Sequence, residues 1–396
     1  MEKIDFEGLK KILKREQENI ENDVREIIEK IRKEKDKAIF YFTEKFDKVK
    51  LEKLKITQKE IQESKRYLKG EVFDYIKKAK ERIERYHKKQ LPKGFKIKEK
   101  DIEIEFKYSP IEKVGIYIPG GQAPLISTIL MTVIPAKIAG VKEIYICSPP
   151  SYNGNIHPLI IATSDYFGIK NIFSIGGVCA ISAFAFGTET VPKVDLVCGP
   201  GNKYVNCAKK LLYGQVGIDL PAGPSEVVIF SDDSGKIDFI EYDLKAQMEH
   251  TDGLGIFITT DQKLGNLLSE KVENGYCIIV KNEKEAIEMI NYICPEHLQV
   301  FSKKPNLFKN CKAGAIFIGD YSPATIGDYF AGPSHVLPTG QTARFSSGIS
   351  VLTFLRSYAI VKCKEKFIKK FGKQIEKIAE IEGLLNHKTT IKIRNL

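Results

Sequence analysis

The sequence predicts an α/β protein with two parallel-sheet units, one of them interrupted by the other. The first observation is a repeated pattern in which a short apolar strand is followed by a glycine-bearing turn and a helix. The second is that these strands are almost continuously apolar, as expected when helices cover both faces of a parallel sheet. The third is the length of 396 residues, which exceeds one ordinary core and favours roughly two to four structural units.

Composition places the chain among soluble globular proteins, with 43% apolar and 29% charged residues. The formal charge of +11 does not indicate nucleic-acid binding, because the lysines lie beside almost as many acids and no nucleic-acid-binding motif accompanies them. The eight cysteines show no C-x-x-C spacing, which fits a reducing compartment. No secretory segment and no apolar run of about 18 residues is present. We therefore expect a cytoplasmic protein without nucleic-acid or membrane partners.

The N-terminal part of the chain is predicted to be mostly helical. Within residues 6–46, apolar side chains recur at three- and four-residue spacing, which marks one buried helix face. Thr57 and Glu60 have the spacing of a capping box, which predicts that a helix begins there. Over residues 102–108 the period changes to two, since apolar and charged residues alternate. That pattern predicts a half-buried strand.

From residue 114 onward, predicted strands alternate with helices. The strands are expected at 114–118, 143–147, 171–175, 194–198, 226–230, 255–259, 276–280 and 315–318. Ligands of parallel sheets bind beyond the carboxyl ends of the strands, where the glycine turns of this sequence lie. The fingerprint G-x-G-x-x-G is absent, so a dinucleotide would bind in a non-standard way. After residue 348 the chain is predicted to turn helical again.

The stretch 319–348 is the most unusual part of the sequence. Its five glycines and three prolines break every regular period, which predicts a long loop, and such loops in compact domains are usually functional. It contains no lysine and one arginine, but carries Asp328, His335 and several hydroxyl groups. These side chains suit metals and polar ligands. The alternative is a structural loop buried under a partner surface.

One candidate metal site combines side chains from three regions of the chain. Gln247 and His250 are three residues apart at the end of a predicted helix, so they face the same way and could share a cation. Asp328 and His387 offer further oxygen and nitrogen ligands, and such a set suits zinc or a similar divalent ion. A helical Q-x-x-H is also common on an ordinary polar face.

A second candidate is the adjacent pair Glu296 and His297, at the start of a predicted strand. A histidine with a pKa near neutrality can take a proton from an alcohol, while a carboxylate can activate water. The pair could therefore divide acid–base labour. Taken without further context, it fits an ordinary exposed turn at least as well.

Long motifs along the chain resemble those of histidinol dehydrogenases. In order they are VGIYIPGG, FGTETVPKVDLVCGPGN, GIDLPAGPSEV, QMEH, CPEHL, GDYFAGPSHVLPTG and ARFSSGISV. The resemblance implies oxidation of L-histidinol to L-histidine through the aldehyde, with two NAD and one water, as the last step of histidine biosynthesis. It also implies two incomplete Rossmann-like domains plus small N- and C-terminal helical segments that clasp a second subunit in a homodimer.

The resemblance further implies a zinc ion in each subunit that holds the substrate's amine and imidazole. The matching metal ligands are Gln247, His250, Asp328 and His387. The other positions that match substrate contacts are Ser225, His297, His335 and Glu382. The ligand His387 and the substrate contact Glu382 lie in the C-terminal tail, which is expected to clasp the second subunit. The resemblance therefore predicts active sites shared between subunits.

Catalytic and cofactor positions can be matched in the same way. Glu296 and His297 match the catalytic pair, with His297 as the base and Glu296 as the activator of water. Tyr117 and Asn202 match positions that contact NAD. One departure is Cys179, which stands where the family commonly has glutamine. A thiol is a weak donor and acceptor, so it cannot replace the hydrogen bonds of an amide.

The expected domain boundaries combine the alternation with the resemblance. They are an N-terminal segment 1–15, a first α/β domain of 16–116 and 226–295, a second of 117–225 and 296–348, and a C-terminal dimerisation tail 349–396. Two rival functions stay open: a zinc-dependent hydrolase and a catalytically inactive basic binding module. Reduction of NAD in the presence of histidinol would distinguish the dehydrogenase from the hydrolase, because the hydrolase needs no NAD. The joint presence of the acid–base pair and four metal-type ligands argues against the second.

Overall fold

The computed structural model of the chain describes residues 1–13, 20–120, 123–221, 223, 225–249 and 253–395. These residues form two compact units. Unit 1 comprises residues 1–90 and 111–354, and unit 2 comprises residues 91–110 and 355–396. Across the described ranges, no helix is both long enough and apolar enough to cross a membrane.

The α-helices are α1 (Phe6–Leu13), α2 (Glu21–Glu34), α3 (Asp36–Asp47), α4 (Gln58–Ser64), α5 (Gly70–Lys88), α6 (Ile126–Ala139), α7 (Pro158–Tyr166), α8 (Gly177–Phe186), α9 (Lys203–Leu212), α10 (Ile237–Met248), α11 (Gln262–Lys271), α12 (Glu283–Ile293), α13 (Ala324–Tyr329), α14 (Glu365–Ile381) and α15 (Leu385–Lys392). The strands are β1 (Glu2–Lys3), β2 (Phe95–Lys98), β3 (Ile102–Pro110), β4 (Lys113–Tyr117), β5 (Glu143–Ser148), β6 (Ile172–Ser174), β7 (Leu196–Cys198), β8 (Gly217–Ile218), β9 (Glu226–Ser231), β10 (Leu254–Thr259), β11 (Tyr276–Ile279), β12 (His297–Phe301), β13 (Ala315–Ile318) and β14 (Leu355–Cys363). Short 3₁₀ turns occupy Lys65–Tyr67, Pro305–Phe308, Thr342–Arg344 and Val351–Phe354.

A six-stranded parallel sheet forms one half of unit 1. Its strand order is β1-β11-β10-β9-β12-β13, and every pairing is parallel. One apolar cluster joins the sheet to α1 and α12, and a second cluster joins it to α10 and α11. Burial on both faces explains why these strands are apolar throughout rather than alternating.

A five-stranded parallel sheet forms the other half, with the order β6-β5-β4-β7-β8. Its strands pack against α2, α3, α8 and α9 in one apolar cluster. The chain leaves the six-stranded sheet after β1, builds the five-stranded sheet, and returns at β9. This confirms the prediction that one parallel-sheet unit interrupts the other.

Both sheets have the strand order of a Rossmann half. Numbered from β4, the five-stranded sheet has the order 3-2-1-4-5, and β9 to β13 repeat that order in the six-stranded sheet. Among the described residues, neither sheet has a sixth strand in the usual place, and in the six-stranded sheet β1 is instead added at the far edge beside β11. The prediction of two incomplete Rossmann-like parallel sheets is therefore confirmed.

Unit 2 combines an antiparallel sheet with two helices. The sheet has the order β14-β3-β2, and β14 pairs with β3 along its whole length of nine residues. The prediction that the chain turns helical directly after residue 348 is therefore wrong over β14. A partner strand more than 200 positions earlier in the chain determines that conformation, and local periodicity does not reveal it.

The predicted loop 319–348 also needs a correction. It contains the six-residue helix α13 and a 3₁₀ turn at Thr342–Arg344. A substituent at Gly327 of α13 would meet the ring of Phe317 at 2.6 Å. The helix is therefore closely packed on Phe317 of β13, and this close approach leaves no space for a side chain at position 327.

The sheets group some segments differently from the expected domains. Helices α2 and α3, expected in the first domain, pack on the five-stranded sheet. Strands β12 and β13, expected in the second domain, belong to the six-stranded sheet. Sheet membership does not define an independently folding unit, so the domain boundaries themselves stay a prediction.

Candidate active site

His297 is the first residue of β12 and is buried. Its Nδ1 lies 3.2 Å from Oε1 of Gln247, in the last turn of α10. Its Nε2 lies 3.8 Å from Oδ1 of Asp328, on α13. An amide oxygen can only accept, so Nδ1–H donates to Gln247. In this tautomer the lone pair is on Nε2, which is therefore the basic atom of the ring.

Glu296 is also buried, and its carboxylate lies 4.0 Å from Nδ1 of His297. Its Oε2 accepts a hydrogen bond from the backbone N–H of Glu226 at 3.1 Å, and the Ser225 hydroxyl donates to the same carboxylate. Burial raises the pKa of Glu296 to about 8, the charges of Asp328 and Glu226 add to the rise, and the two hydrogen bonds oppose it. Neither residue of the pair lies on an exposed turn, so that alternative is wrong.

Glu226 is a second buried acid in the site, which sequence analysis did not select. It is the first residue of β9, and burial raises its pKa to about 7. Its Oε1 accepts from the N–H of Gly340 at 3.2 Å, which connects the stretch 319–348 to the site. The sequence signal that could have identified Glu226 is an acidic residue at the first position of an otherwise apolar strand.

Two of the four predicted metal ligands meet at His297. Gln247 and Asp328 contact opposite nitrogens of its ring. Burial raises the pKa of Asp328 to about 6, and Nε2 of Gln247 is buried without a hydrogen-bond partner in the described part of the chain. His250 lies outside the described residues. Within them, no three His, Cys, Asp or Glu side chains are grouped as a metal site.

These features fit a cation. The carboxyl groups of Glu226 and Glu296 are buried and that of Asp328 is partly buried, and both neighbours are close enough for their charges to raise the pKa of Glu296. Burying such groups is costly unless positive charge accompanies them. Carboxylate and amide oxygens are ligands that zinc accepts. Gln247 and Asp328 are therefore suitably placed for the predicted ion.

The remaining predicted substrate positions divide between the two units. In unit 1, Ser225 lies beside Glu296, and His335 donates from Nδ1 to the backbone oxygen of Asp328 at 2.9 Å. In unit 2, Glu382 follows the last residue of α14 and His387 lies on α15. The side chains of both tail residues are exposed. Their assignment to the site stays a prediction.

The predicted cofactor positions lie in a second cluster, at the carboxyl ends of strands in the five-stranded sheet. Tyr117 ends β4, and its hydroxyl accepts from the N–H of Gly177 at 3.3 Å. Burial raises the pKa of Tyr117 to about 12. Asn202 caps α9, accepting from the N–H groups of Tyr204 and Val205 at 3.1 Å each. These turns match the place where parallel sheets bind ligands.

Cys179 lies in the first turn of α8 and is buried. Burial raises the pKa of its thiol well above the usual range, so the side chain is a neutral, weak hydrogen-bonding group. It therefore offers a cofactor little polar contact. The nearby backbone N–H of Gly177 donates to the hydroxyl of Tyr117.

The family model and the most similar relatives that we compared carry the same family description. The model of the family described as histidinol dehydrogenase matches residues 11–395. The chain is 40% identical to a histidinol dehydrogenase of Methanocaldococcus jannaschii, covering 97% of this chain and 95% of that protein. It is 41% identical to one of Clostridium acetobutylicum, covering 98% and 95%.

A solved structure gives the same result at the level of the fold. The crystal structure of histidinol dehydrogenase from Elizabethkingia anophelis superimposes with a TM-score of 0.92 at 36% identity. The match covers 100% of this chain and 97% of that one. Sequence and fold agree over essentially the whole length, and the chain belongs to the histidinol dehydrogenase family.

Proposed function

We propose that the protein oxidises L-histidinol to L-histidine through L-histidinal, the reaction that ends histidine biosynthesis. The observation that carries this proposal is the buried arrangement around His297, in which a base, a carboxyl group and two potential metal ligands meet. The relatives that resemble the chain along its whole length are named histidinol dehydrogenase. A zinc-dependent hydrolase and a binding module have no comparable support.

In the first oxidation, His297 acts as the general base. Its Nδ1–H donates to Gln247, so Nε2 takes the proton of the substrate hydroxyl as the alcohol becomes an aldehyde. Bound NAD would supply the hydride acceptor for both oxidations, and a redox-inert zinc ion on the proposed ligands would supply a Lewis acid that orients the substrate. His297 is buried, so its ring is shielded from bulk water.

In the second oxidation, Glu296 acts on water. Its carboxylate takes a proton from the water that adds to the aldehyde carbon, forming the hydrate that is then oxidised to the acid. Ser225 and the N–H of Glu226 hold the carboxylate in place. The raised pKa of Glu296 makes it a stronger base than an exposed glutamate once it is ionised.

The ligand set proposed for zinc is Gln247, His250, Asp328 and His387. The convergence of Gln247 and Asp328 at His297 supports it. We place NAD at Tyr117 and Asn202, supported by the turns that lie beyond β4 and β7. Ser225, His335 and Glu382 complete the proposed substrate contacts.

We further propose a homodimer with shared active sites, working in the cytoplasm. The support is the surface of unit 2, where α14 has two buried residues, Gly372 and Ala379, along 17 residues. Large apolar side chains such as Ile378 and Ile381 are exposed on it. A helix of this kind is only marginally stable by itself, and docking on a second copy would bury its apolar face.

The central experiment measures NADH formation by zinc-loaded protein supplied with NAD and L-histidinol. We expect about two NADH per histidinol consumed and histidine as the product. Absence of NADH formation would contradict the proposed function, and release of a hydrolysis product instead would support the hydrolase.

A metal-site variant tests the proposed ligands. Asp328→Asn removes a partly buried carboxylate and is expected to lower both zinc content, measured by elemental analysis, and histidinol oxidation. The matched control is Asp320→Asn in the same stretch, because Asp320 pairs with Lys236 instead and should retain metal and activity. Full activity of protein shown to be metal-free would refute the zinc requirement.

A further inference from the structure

An ion pair that the proposed mechanism does not use lies inside the five-stranded half of unit 1. It joins Lys209 of α9 to Asp219, just after β8. The side chains are 1% and 0% exposed. Removing two charges from water is expensive, and replacing a buried pair by apolar residues is often neutral or stabilising. Stability alone is therefore a weak explanation for this pair.

The two charges converge on the backbone of one residue, Gly199. Nζ of Lys209 donates to the carbonyl oxygen of Gly199 at 3.1 Å. Oδ2 of Asp219 accepts from the N–H of Gly199 at 2.8 Å, and Oδ1 accepts from the N–H of Leu220 at 2.8 Å. Both backbone groups of Gly199 are thus held by charged partners. Charge-assisted hydrogen bonds are roughly twice as strong as neutral ones.

Gly199 begins the turn that connects the proposed cofactor contacts. Its φ of +116° is in the region that favours glycine, and a Cβ there would lie 2.1 Å from the carbonyl oxygen of Tyr117. Further along the turn, the side-chain amide of Asn206 donates to the carbonyl of Gly201 at 2.9 Å. Asn202 then caps α9. The turn therefore lies against the end of β4 and leads directly into a helix N-terminus.

We propose that Lys209 and Asp219 are positioning residues, which hold the turn 199–202 in the form that receives the dinucleotide. This inference rests on the proposed function, because it takes Tyr117 and Asn202 as cofactor contacts. Neither charged side chain would touch the cofactor, since both are buried behind the backbone of Gly199. Their effect would pass through the geometry of that backbone.

The test is the double variant Lys209→Met/Asp219→Asn, which removes both charges while keeping similar volumes and one acceptor. We expect the KM for NAD to rise by roughly tenfold or more, since small displacements of a binding element cost up to about 100-fold. The KM for histidinol and kcat at saturating NAD should stay within about twofold. The matched control is Lys210→Met, because Lys210 is the exposed neighbour on the same helix; it should leave all three constants unchanged.

The outcomes separate this inference from the proposed function. If wild-type protein forms no NADH with histidinol, the proposed function fails, and the inference is overturned with it. If wild-type protein is active and the double variant retains its KM for NAD, only the positioning inference is overturned. Equal changes in both KM values and in kcat would indicate a general structural role and would also overturn it.

A milder variant decides the case in which the double variant does not fold. Asn206→Leu removes the hydrogen bond to Gly201 without leaving a buried charge. Loss of one such bond is expected to raise the KM for NAD by roughly fivefold, again without a matching change for histidinol. An unchanged KM for NAD in this folded variant would show that loosening the turn 199–202 does not affect NAD binding. That result would overturn the inference.

Discussion

Glu296 and His297 are adjacent in the chain, but their side chains have different partners. His297 lies between Gln247 and Asp328, whereas Glu296 is held by the N–H of Glu226 and the hydroxyl of Ser225. One residue is thus placed with the proposed metal ligands and the other with a backbone donor and a hydroxyl. The difference supports separate roles in the two oxidations.

At the residue scale, we predict that the two half-reactions respond to different substitutions. His297→Asn should slow the oxidation of histidinol by a factor on the order of 10²–10⁴, because general-base catalysis is lost. Glu296→Gln should mainly slow the conversion of supplied histidinal to histidine. Stopped-flow measurement of NADH formation from each substrate separates the two rates.

The matched control for the histidine substitution is His157→Asn. His157 caps α7 by accepting from the N–H of Leu159, and asparagine is also a good capping residue. Both rates should therefore stay within about twofold of the wild-type values. If His297→Asn and Glu296→Gln slowed both half-reactions equally, the division of labour would be refuted.

At the element scale, the start of α4 shows how a local motif determines a helix boundary. The structure confirms the predicted capping box: the hydroxyl of Thr57 accepts from the N–H of Glu60, and the carboxylate of Glu60 accepts from the N–H of Thr57 at 2.7 Å. Burial alone would raise the pKa of Glu60, but hydrogen bonds from Thr57, Lys53 and Asn155 outweigh it and lower the pKa to about 2. The ionised carboxylate is therefore stabilised by folding.

This shift gives a stability prediction that depends on pH. Glu60→Gln keeps an acceptor for Thr57 but loses the charge, and should lower the free energy of unfolding at pH 7 by about 1 kcal/mol. The pKa of Glu60 is lower in the folded chain than its ordinary 4.5. The stabilisation is therefore complete above pH 4.5 and is lost as pH falls through about 2.

Urea unfolding between pH 7 and the acid limit of folding measures the effect. The difference between wild type and Glu60→Gln should shrink as the pH falls below 4.5. The matched control is Glu63→Gln on the same helix. Glu63 is exposed, and its ion pair with Lys59 is long, at 4.0 Å. This substitution should therefore change the free energy of unfolding by less than about 0.5 kcal/mol. A Glu60→Gln difference that is constant with pH would contradict the assignment.

At the scale of the whole molecule, the two proposed sites of unit 1 lie at different ends of the strands in the two Rossmann-like sheets. The proposed cofactor positions follow the carboxyl ends of β4 and β7, as expected for parallel sheets. The proposed catalytic pair Glu296 and His297 instead lies at the amino end of β12, beside Glu226 at the amino end of β9. Gln247 reaches the same edge because α10 runs back from the carboxyl end of β9.

The shared-site proposal gives the prediction at this scale. His297→Ala and His387→Ala should each be inactive alone. Unfolded and refolded together, half of the dimers should be mixed, and each mixed dimer would hold one site with both lesions and one with neither. About a quarter of the sites should then recover, because exchange in a two-fold dimer is reciprocal.

The measurement is NADH formation by the refolded mixture, with each variant refolded alone as the control. If every chain used its own tail, each site would keep one lesion. Activity at the level of the separate variants would therefore contradict shared active sites, provided that the mixed dimers are shown to form by a size tag on one chain.

The sequence by itself determined the α/β alternation, the capping box at Thr57 and the position of His297 at a strand start. Each depends on residues within a few positions of one another, where periodicity and side-chain chemistry are direct signals. It also pointed to Gln247 and Asp328 as ligands, whose meeting at His297 the structure displays. The roles of His250 and His387 stay predictions.

Only the tertiary structure decided the features that join distant parts of the chain. The pairing of β14 with β3, the hydrogen bond between Glu226 and Glu296 and the ion pair of Lys209 with Asp219 join separate segments of the chain, so no local pattern predicts the partners. The sequence does not distinguish a solvated glutamate or lysine from a buried one. The partners of the side chain and the shift of its pKa are determined only when folding removes water and brings other groups near. For that reason the sequence could name the chemistry of the site, whereas its geometry had to come from the fold.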